Sequence, residues 1–155
     1  MSTNPAKISR SRFKQGKYKP INPSKYIGDV NNIVYRSSWE LKVCQQFDLS
    51  ESIKAWCCEP FDIKYLSPKD GLPHRYYPDF LTVTINNGNK VVTVYEVKPY
   101  RELFKPSPKG KKKPRYIKEC LTYEINQAKW KYAEAYCKKK GWQFVKLTEK
   151  EIYGK

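Results

Sequence analysis

Hydrophobic and polar positions alternate most clearly in residues 74–98, where two runs rich in Val, Ile, Thr, Phe and Tyr flank Asn87-Gly88. Such alternation is typical of β-strands with one buried face. Asn-Gly favours a type I′ turn, because that turn needs positive φ at both central residues. The pattern therefore predicts a β-hairpin whose loop is these two residues.

The register of this hairpin follows from its turn. With a two-residue loop, Asp79 lies directly opposite Glu96, and Tyr77 lies opposite Lys98. The second strand carries apolar residues on both of its faces, which is typical of a central strand covered on both sides. We therefore expect two carboxylates to end a buried strand pair.

Two segments before the hairpin have clear patterns. Apolar residues at helical spacing predict a short amphipathic helix within Tyr35–Asp48, with Ser37 as its N-cap and Glu40 completing a capping box. Residues 53–66 are typical of a strand that Pro60 interrupts. A turn-rich loop at 67–73 then leads to the hairpin.

The longest predicted element is a helix over Tyr116–Lys140. Its expected apolar stripe repeats at steps of three and four: Ile117, Leu121, Ile125, Ala128, Tyr132, Ala135 and Tyr136. Gly141 is the expected residue after its end. Residues 142–148 then predict a strand, and Thr148 caps a final short helix, Glu149–Tyr153. This order of elements predicts an α/β domain with a mixed central sheet.

Charge indicates the kind of partner. The chain has 155 residues, with 31 Lys and Arg against 15 Asp and Glu, a net charge of +16. An excess of this size favours a polyanionic partner, and nucleic acid is the default candidate. No apolar run approaches the roughly 18 residues of a membrane span, and no signal peptide is evident, so we expect no membrane association.

The basic residues are concentrated in two segments. Residues 1–30 are polar and Pro-rich, which predicts an extended basic arm ahead of a domain at 31–155; a tail that only adds solubility explains them equally well. Residues 101–115 predict a basic loop, with a solvated linker as the alternative. The residues expected to contact DNA phosphates are Lys14, Lys17, Lys19, Arg75, Lys109, Lys111, Lys112, Lys113 and Arg115.

The scarcity of histidine limits the possible chemistry. The sequence has one His and five Cys without a Cys-x-x-Cys pair, so we expect reduced thiols and no zinc site built from several His. Carboxylates, lysine and a metal ion remain as catalytic groups.

The opposed carboxylates of the hairpin predict a metal site. At about 5 Å and an effective dielectric near 20, Asp79 and Glu96 repel by on the order of 3 kcal/mol. A hard divalent cation such as Mg²⁺ or Mn²⁺, held between their oxygens, removes that repulsion. Lys98 shares the face of Glu96 about 7 Å further along the strand, within reach of a phosphate or an attacking water. The alternative is that Glu96 and Lys98 form a solvated strand face.

Other residues are weaker candidates. Glu40 is either only the capping glutamate or a third acidic ligand facing the hairpin. His74 and Tyr77 precede Asp79 and are expected close to the site. Gln127 and Lys129 could line a substrate groove on the long helix, although a solvated face is the default for them.

Pro78-Asp79, Glu96-Val97-Lys98 and the helix residue Glu40 together resemble the PD-(D/E)xK nucleases. The resemblance implies the restriction-endonuclease-like fold, a mixed central β-sheet flanked by helices. It implies Mg²⁺, replaceable by Mn²⁺, held by Asp79, Glu96 and the Val97 carbonyl with a contribution from Glu40. It also implies catalysis by Glu40, Asp79, Glu96 and Lys98.

Longer stretches resemble two groups of nucleases. Residues 15–48 are similar to the head completion nucleases of T-even-type tailed phages. Residues 74–80 and 135–144 are similar to the endonuclease subunit of certain cut-and-paste transposons. The first likeness implies a DNA endonuclease of little sequence specificity that acts on packaged DNA or the neck before tail joining. It implies phage head or neck proteins as partners, in the host cytoplasm and associated with the virion.

Two alternatives follow from the same residues. One is a transposase-like endonuclease subunit. The other is a structural DNA-binding neck or capsid protein whose nuclease site is vestigial.

Overall fold

The computed structural model describes residues 15–154, so Lys14 of the expected DNA-binding residues lies outside the described part. The strands are β1 (Gly16–Lys17), β2 (Val34–Tyr35), β3 (Ile53–Cys58), β4 (Ile63–Leu66), β5 (Pro73–Tyr76), β6 (Phe80–Asn86), β7 (Asn89–Val97) and β8 (Gln143–Leu147). The helices are α1 (Ser38–Leu49), α2 (Lys113–Lys140) and α3 (Glu149–Tyr153), with short 3₁₀ turns at Pro23–Lys25 and Tyr100–Leu103. Within residues 15–154, no helix combines the length and apolar character that crossing a bilayer requires.

The central sheet has four strands in the order β3-β6-β7-β8. β7 and β8 are parallel and joined through α2, whereas the other neighbours are antiparallel. One face of the sheet packs on α1 and α3 around Phe47, Phe80 and Ile152. The other face packs on α2 around Val94 and Cys137. The predicted mixed sheet flanked by helices is therefore confirmed.

The predicted hairpin register is confirmed along its whole ladder. Asn86 pairs with Asn89 next to the turn, and the pairing runs without a shift to Phe80 and Tyr95 at the far end. Asn87 and Gly88 have φ of 51° and 78°, as a type I′ turn requires. The Asn-Gly dipeptide therefore fixes which side chains of β6 and β7 face each other.

The strand predicted to run unbroken into this hairpin is in fact two strands. β5 pairs with β4 in a separate two-stranded sheet, and β6 joins the central sheet. Pro78 lies between them and has no N–H to donate to a ladder. The regular pairing ends at Phe80, so the expected direct pairs of Asp79 with Glu96 and of Tyr77 with Lys98 are not part of the ladder.

The long helix buries only part of the predicted stripe. Ile125, Ala128 and Tyr136 are partly buried against the core, whereas Ile117 is 55% exposed and Tyr132 is also exposed. The fully buried residues of the helix are Asn126, Trp130, Ala133 and Cys137. Both stripes have helical spacing, and packing against β4 and β8 selects the one that carries the Trp130 ring. The helix also begins at Lys113 rather than Tyr116, since proline is tolerated in a first helical turn.

Residues 15–30, assigned above to an extended arm, lie against the domain. The fully buried Asp48 carboxylate, at the end of α1, accepts hydrogen bonds from Tyr18 Oη at 2.6 Å and from the N–H groups of Ile21 at 2.7 Å and Asn22 at 3.0 Å. Lys25 Nζ donates to the carbonyl oxygens of Phe47, Asp48 and Ser50. The described half of the arm is thus docked by α1, and the domain boundary at residue 30 stays a prediction.

We expect Asp48→Asn to lower the free energy of unfolding by about 1–3 kcal/mol, because an amide cannot accept from all of these buried donors. Burial raises the pKa of Asp48, but the hydrogen bonds and Lys25 outweigh it and hold that pKa below its usual value. The difference between the two proteins should therefore persist above about pH 4 and shrink as pH falls through the lowered pKa. Urea unfolding at several pH values measures it.

Glu51→Gln is the matched control for this change, since Glu51 is an exposed carboxylate just beyond α1. It should leave the unfolding free energy within about 0.5 kcal/mol. A loss of the same size in both variants would show that Asp48 acts only through its charge.

Candidate active site

One cavity of about 720 Å³ collects the four residues expected to be catalytic. Glu40 reaches it from the first turn of α1, Asp79 from the residue before β6, and Glu96 and Lys98 from the end of β7. Residues from three separate stretches of the sequence thus share one surface. Their catalytic roles stay predictions.

Asp79 is held in place by the strand pair. Its N–H donates to the Tyr95 carbonyl at 3.0 Å and its carbonyl accepts from Glu59 N–H at 2.9 Å. Its Oδ2 accepts from Val97 N–H at 2.7 Å. Burial and the nearby Glu96 and Glu40 carboxylates raise the pKa of Asp79 well above its usual range. The expected mutual repulsion of these carboxylates is present although Asp79 lies outside the ladder.

Glu96 is almost fully buried and has a partner on each carboxylate oxygen. The hydroxyl of the buried Tyr76 donates to Oε2. Lys98 Nζ lies 3.5 Å from Oε1, and the Lys98 side chain is 26% exposed. Burial raises the pKa of Glu96, while Lys98 and the Tyr76 hydroxyl oppose that rise. Glu96 is therefore oriented by one buried donor and one partly exposed cation.

The two helix candidates of the sequence analysis lie in different places. Lys129 is half-buried, with Nζ 5.7 Å from the centre of the Tyr76 ring and 5.9 Å from that of Tyr65. Burial, and then the charge of Lys98, lower the pKa of Lys129, whereas Glu96 opposes this change. Gln127 instead lines a second cavity beside the β4–β5 turn. The structure thus brings Lys129, and not Gln127, near the carboxylates.

The other candidates lie outside the lining of this cavity as the described residues form it. His74 Nε2 lies 2.8 Å from Asp70 Oδ2, and Arg75 Nε lies 3.6 Å from Asp62 Oδ2. Tyr77 is exposed. Each of these side chains has solvent or a surface acid as its neighbour.

The expected DNA-binding residues form two groups. Lys111 and Arg115 both pair with Glu119. The second group consists of exposed lysines: Lys17, Lys19, Lys109, Lys112 and Lys113. This second group presents charge to a polyanion most directly.

Sequence reasoning missed three residues of this region. Tyr76 bonds Glu96 from β5, and Arg101 and Glu149 line the cavity. The alternation of β5 marks Tyr76 as inward-facing, but nothing local indicates which carboxylate it meets. Glu149 begins α3, where an acidic residue in the first turn suits the helix dipole, so its sequence position is explained without the cavity.

The donor set fits a hard divalent cation. Within residues 15–154, His, Cys, Asp and Glu side chains do not form a group of three or more at metal-ligand spacing. Mg²⁺ commonly takes one or two carboxylates and completes its shell with water. Asp79 and Glu96 supply that number, and both line the same cavity.

Comparisons with known proteins assign the class. Residues 50–149 match the model of the TnsA-like endonuclease N-terminal family. That segment contains most of the central sheet, all of α2, and the Asp79, Glu96 and Lys98 cluster. The chain therefore belongs to this family of endonucleases, and its mixed sheet flanked by helices fits the restriction-endonuclease-like fold.

The chain is also similar to an individual nuclease of known name. The chain is 33% identical over 138 residues to the head completion nuclease of Enterobacteria phage T4. The match covers 86% of this chain and 90% of that protein. Both nuclease resemblances seen in the sequence are thus confirmed, and the chain is a nuclease.

We expect Tyr76→Phe to raise the pKa of Glu96 further, because the lost hydroxyl stabilises the ionised carboxylate. Carbon-detected NMR titration of the Glu side-chain carboxyls measures this directly. Tyr65→Phe is the matched control: Tyr65 is buried in the same hairpin, and its hydroxyl bonds Ser67 instead. An unchanged Glu96 titration in Tyr76→Phe would contradict the assigned role.

Proposed function

We propose that this nuclease is a Mg²⁺-dependent DNA endonuclease that hydrolyses phosphodiester bonds in the cavity of Glu40, Asp79, Glu96 and Lys98. The observation that carries the proposal is the Asp79–Glu96 pair, in which Glu96 is buried and Asp79 partly buried, and which shares this cavity with a lysine in a chain of an endonuclease family. Like charges with little access to water are unfavourable without a cation, and a metal ion bound between the two carboxylates would remove their repulsion.

Asp79 and Glu96 would hold the cation, with the Val97 carbonyl and water completing its shell; Mn²⁺ is expected to substitute. When bound, the cation polarises the phosphoryl oxygen and lowers the pKa of water. Val97 N–H fixes Asp79 Oδ2, and the Tyr76 hydroxyl fixes Glu96 Oε2. These two donors leave the carboxylates little freedom to rotate before DNA binds.

Lys98 is placed to act on the reacting phosphate. Its Nζ lies 3.5 Å from Glu96 Oε1 at the partly exposed side of the cavity. From there it can orient the attacking water and offset the charge that develops on the phosphate. Glu40, whose pKa burial raises, lines the same cavity and supplies a further acidic contact.

The biological role we propose is phage head completion. The relative from phage T4 is named a head completion nuclease, and its likeness to this chain extends over most of both proteins. We therefore propose action on packaged DNA or the neck before tail joining, with phage head or neck proteins as partners. The sites of action would be the host cytoplasm and the virion.

A transposase-like endonuclease is the second candidate, and the match of residues 50–149 to the TnsA-like family favours it. That role needs transposon-encoded partner proteins, whereas the first needs phage structural proteins. The genes that flank the coding sequence distinguish the two.

Asp79→Asn and Lys98→Ala should each lower cleavage of supercoiled plasmid by at least about 100-fold, because one removes a metal ligand and the other a transition-state cation. Chelating divalent ions should abolish cleavage by the wild type. Gel analysis of plasmid topology measures the rate, and DNA affinity should stay within about threefold. Asp29→Asn, the same change at an exposed turn, should cut normally.

Two results would contradict the proposed nuclease site. Tight, salt-sensitive DNA binding without cleavage in any divalent metal would support a structural DNA-binding protein with a vestigial site. Full activity in Asp79→Asn would exclude the assigned metal ligand.

Replacing Lys112 and Lys113 together by alanine should weaken binding to all DNA sequences alike. It should reduce the slope of log affinity against log salt by about 2, since each phosphate contact contributes roughly 0.9. The pair Lys138 and Lys139 is the matched control, because it removes equal charge from the opposite end of α2. Equal losses in both double variants would show that net charge alone governs binding.

A further inference from the structure

The chain leaves the active site through a short aromatic segment. After Lys98, Pro99 leads into the 3₁₀ turn Tyr100–Leu103, and both Pro99 and Arg101 line the catalytic cavity. Phe104 follows directly. Tyr100 therefore lies between two cavity-lining residues in the sequence, and Phe104 follows the second of them by three positions.

Tyr100 and Phe104 form an exposed pair of rings, called the aromatic pair below. Tyr100 is 37% exposed and Phe104 52% exposed. Their ring centres are 5.0 Å apart at 65°, an edge-to-face contact. Neither ring belongs to the described hydrophobic clusters, whereas Leu103, between them in sequence, packs into one. The turn thus points its aliphatic residue inward and its two rings outward.

The backbone on both sides of the aromatic pair is held by hydrogen bonds. Tyr100 N–H donates to Glu149 Oε2 at 2.8 Å, and Phe104 N–H donates to the Arg101 carbonyl at 3.4 Å. Lys150 Nζ lies 3.3 Å from the centre of the Tyr100 ring and so occupies one of its faces. Phe104 is the more accessible ring of the pair, and Tyr100 supports it.

The charges near the aromatic pair suit nucleic acid better than an apolar protein surface. Lys98 and Arg101 precede Phe104, Lys105 follows it, and Lys150 covers Tyr100. Proteins that bind single-stranded nucleic acid combine such cations, which hold phosphates, with aromatic rings on which bases stack. Within a duplex, neighbouring base pairs cover both faces of each base, so only an unpaired or terminal base offers a face for stacking without unstacking the duplex.

We propose that Phe104, supported by Tyr100, stacks on an unpaired base of the DNA strand that enters the catalytic cavity. The preferred substrate is then DNA with a single-stranded or frayed segment near the cleavage site. This inference rests on the proposed DNA endonuclease function and names the substrate class of the same site.

Binding in an Asp79→Asn background without divalent ions tests the proposal, because no cleavage can intervene. The probe is dye-labelled oligo(dT), measured by fluorescence anisotropy, with relaxed closed-circular plasmid as the fully paired DNA. Phe104→Ala should weaken oligo(dT) binding about 5- to 100-fold, the usual effect of losing one stacking ring. Its affinity for the relaxed plasmid should change less than about twofold.

Three further variants separate stacking from other effects. Phe104→Trp should restore oligo(dT) binding, whereas Phe104→Leu, which keeps apolar bulk without a ring, should not. Tyr132→Ala removes an exposed ring from α2 and should bind both DNAs as the parent does. Urea unfolding of each variant shows that the fold is intact.

Several results would overturn the base-stacking subsite. They are equal losses on oligo(dT) and plasmid, full recovery in Phe104→Leu, or a Tyr132→Ala loss equal to that of Phe104→Ala. Normal binding of both DNAs by Phe104→Ala would also overturn it and would favour a protein partner for the aromatic pair. If wild type cuts no DNA but the Phe104 selectivity persists, the proposed catalysis fails and the subsite stands.

Discussion

A pair of carboxylates with little access to water is the constraint on which the rest of this structure depends. Asp79 and Glu96 lie at the end of the central strands, where burial disfavours the ionised form of both and the charge of Glu96 adds to that cost for Asp79. Neighbouring groups partly offset that cost: Val97 N–H donates a hydrogen bond to Asp79, the Tyr76 hydroxyl donates one to Glu96, and Lys98 forms an ion pair with Glu96. Such an arrangement contributes little to stability, because desolvation offsets the attraction. The arrangement fits the metal-binding site that we propose for this nuclease.

Pro78 makes this arrangement geometrically possible. By ending the ladder it lets Asp79 leave the regular pairing, and it turns β5 out of the central sheet to pair with β4. The small sheet then returns over the site, where the Tyr76 hydroxyl meets Glu96 and the Tyr76 ring meets Lys129. The Tyr76 side chain thus reaches Glu96 from a strand outside the central sheet.

The large positive charge is divided between folding and binding. Lys25 holds the end of α1 through three carbonyl oxygens, and Lys111 and Arg115 are paired with Glu119. Other cations remain exposed, among them those at both ends of α2 and beside the aromatic pair. The net charge thus identifies a polyanion as partner, while local pairing decides which residues can meet it.

The sequence by itself determined the local features: the Asn87-Gly88 turn and its register, the Ser37 and Thr148 caps, the mixed sheet, and the Asp and Glu-x-Lys residues. Each of these depends on φ preferences, capping or alternation within a few residues. The tertiary structure alone decided the buried face of α2, the approach of Lys129, the Tyr76 contact and the docking of residues 15–30 on Asp48. Two helix faces had suitable spacing, and several tyrosines and lysines were equivalent in sequence. Long-range packing against β4, β8 and α1 selected among them, because only burial distinguishes residues with the same local pattern.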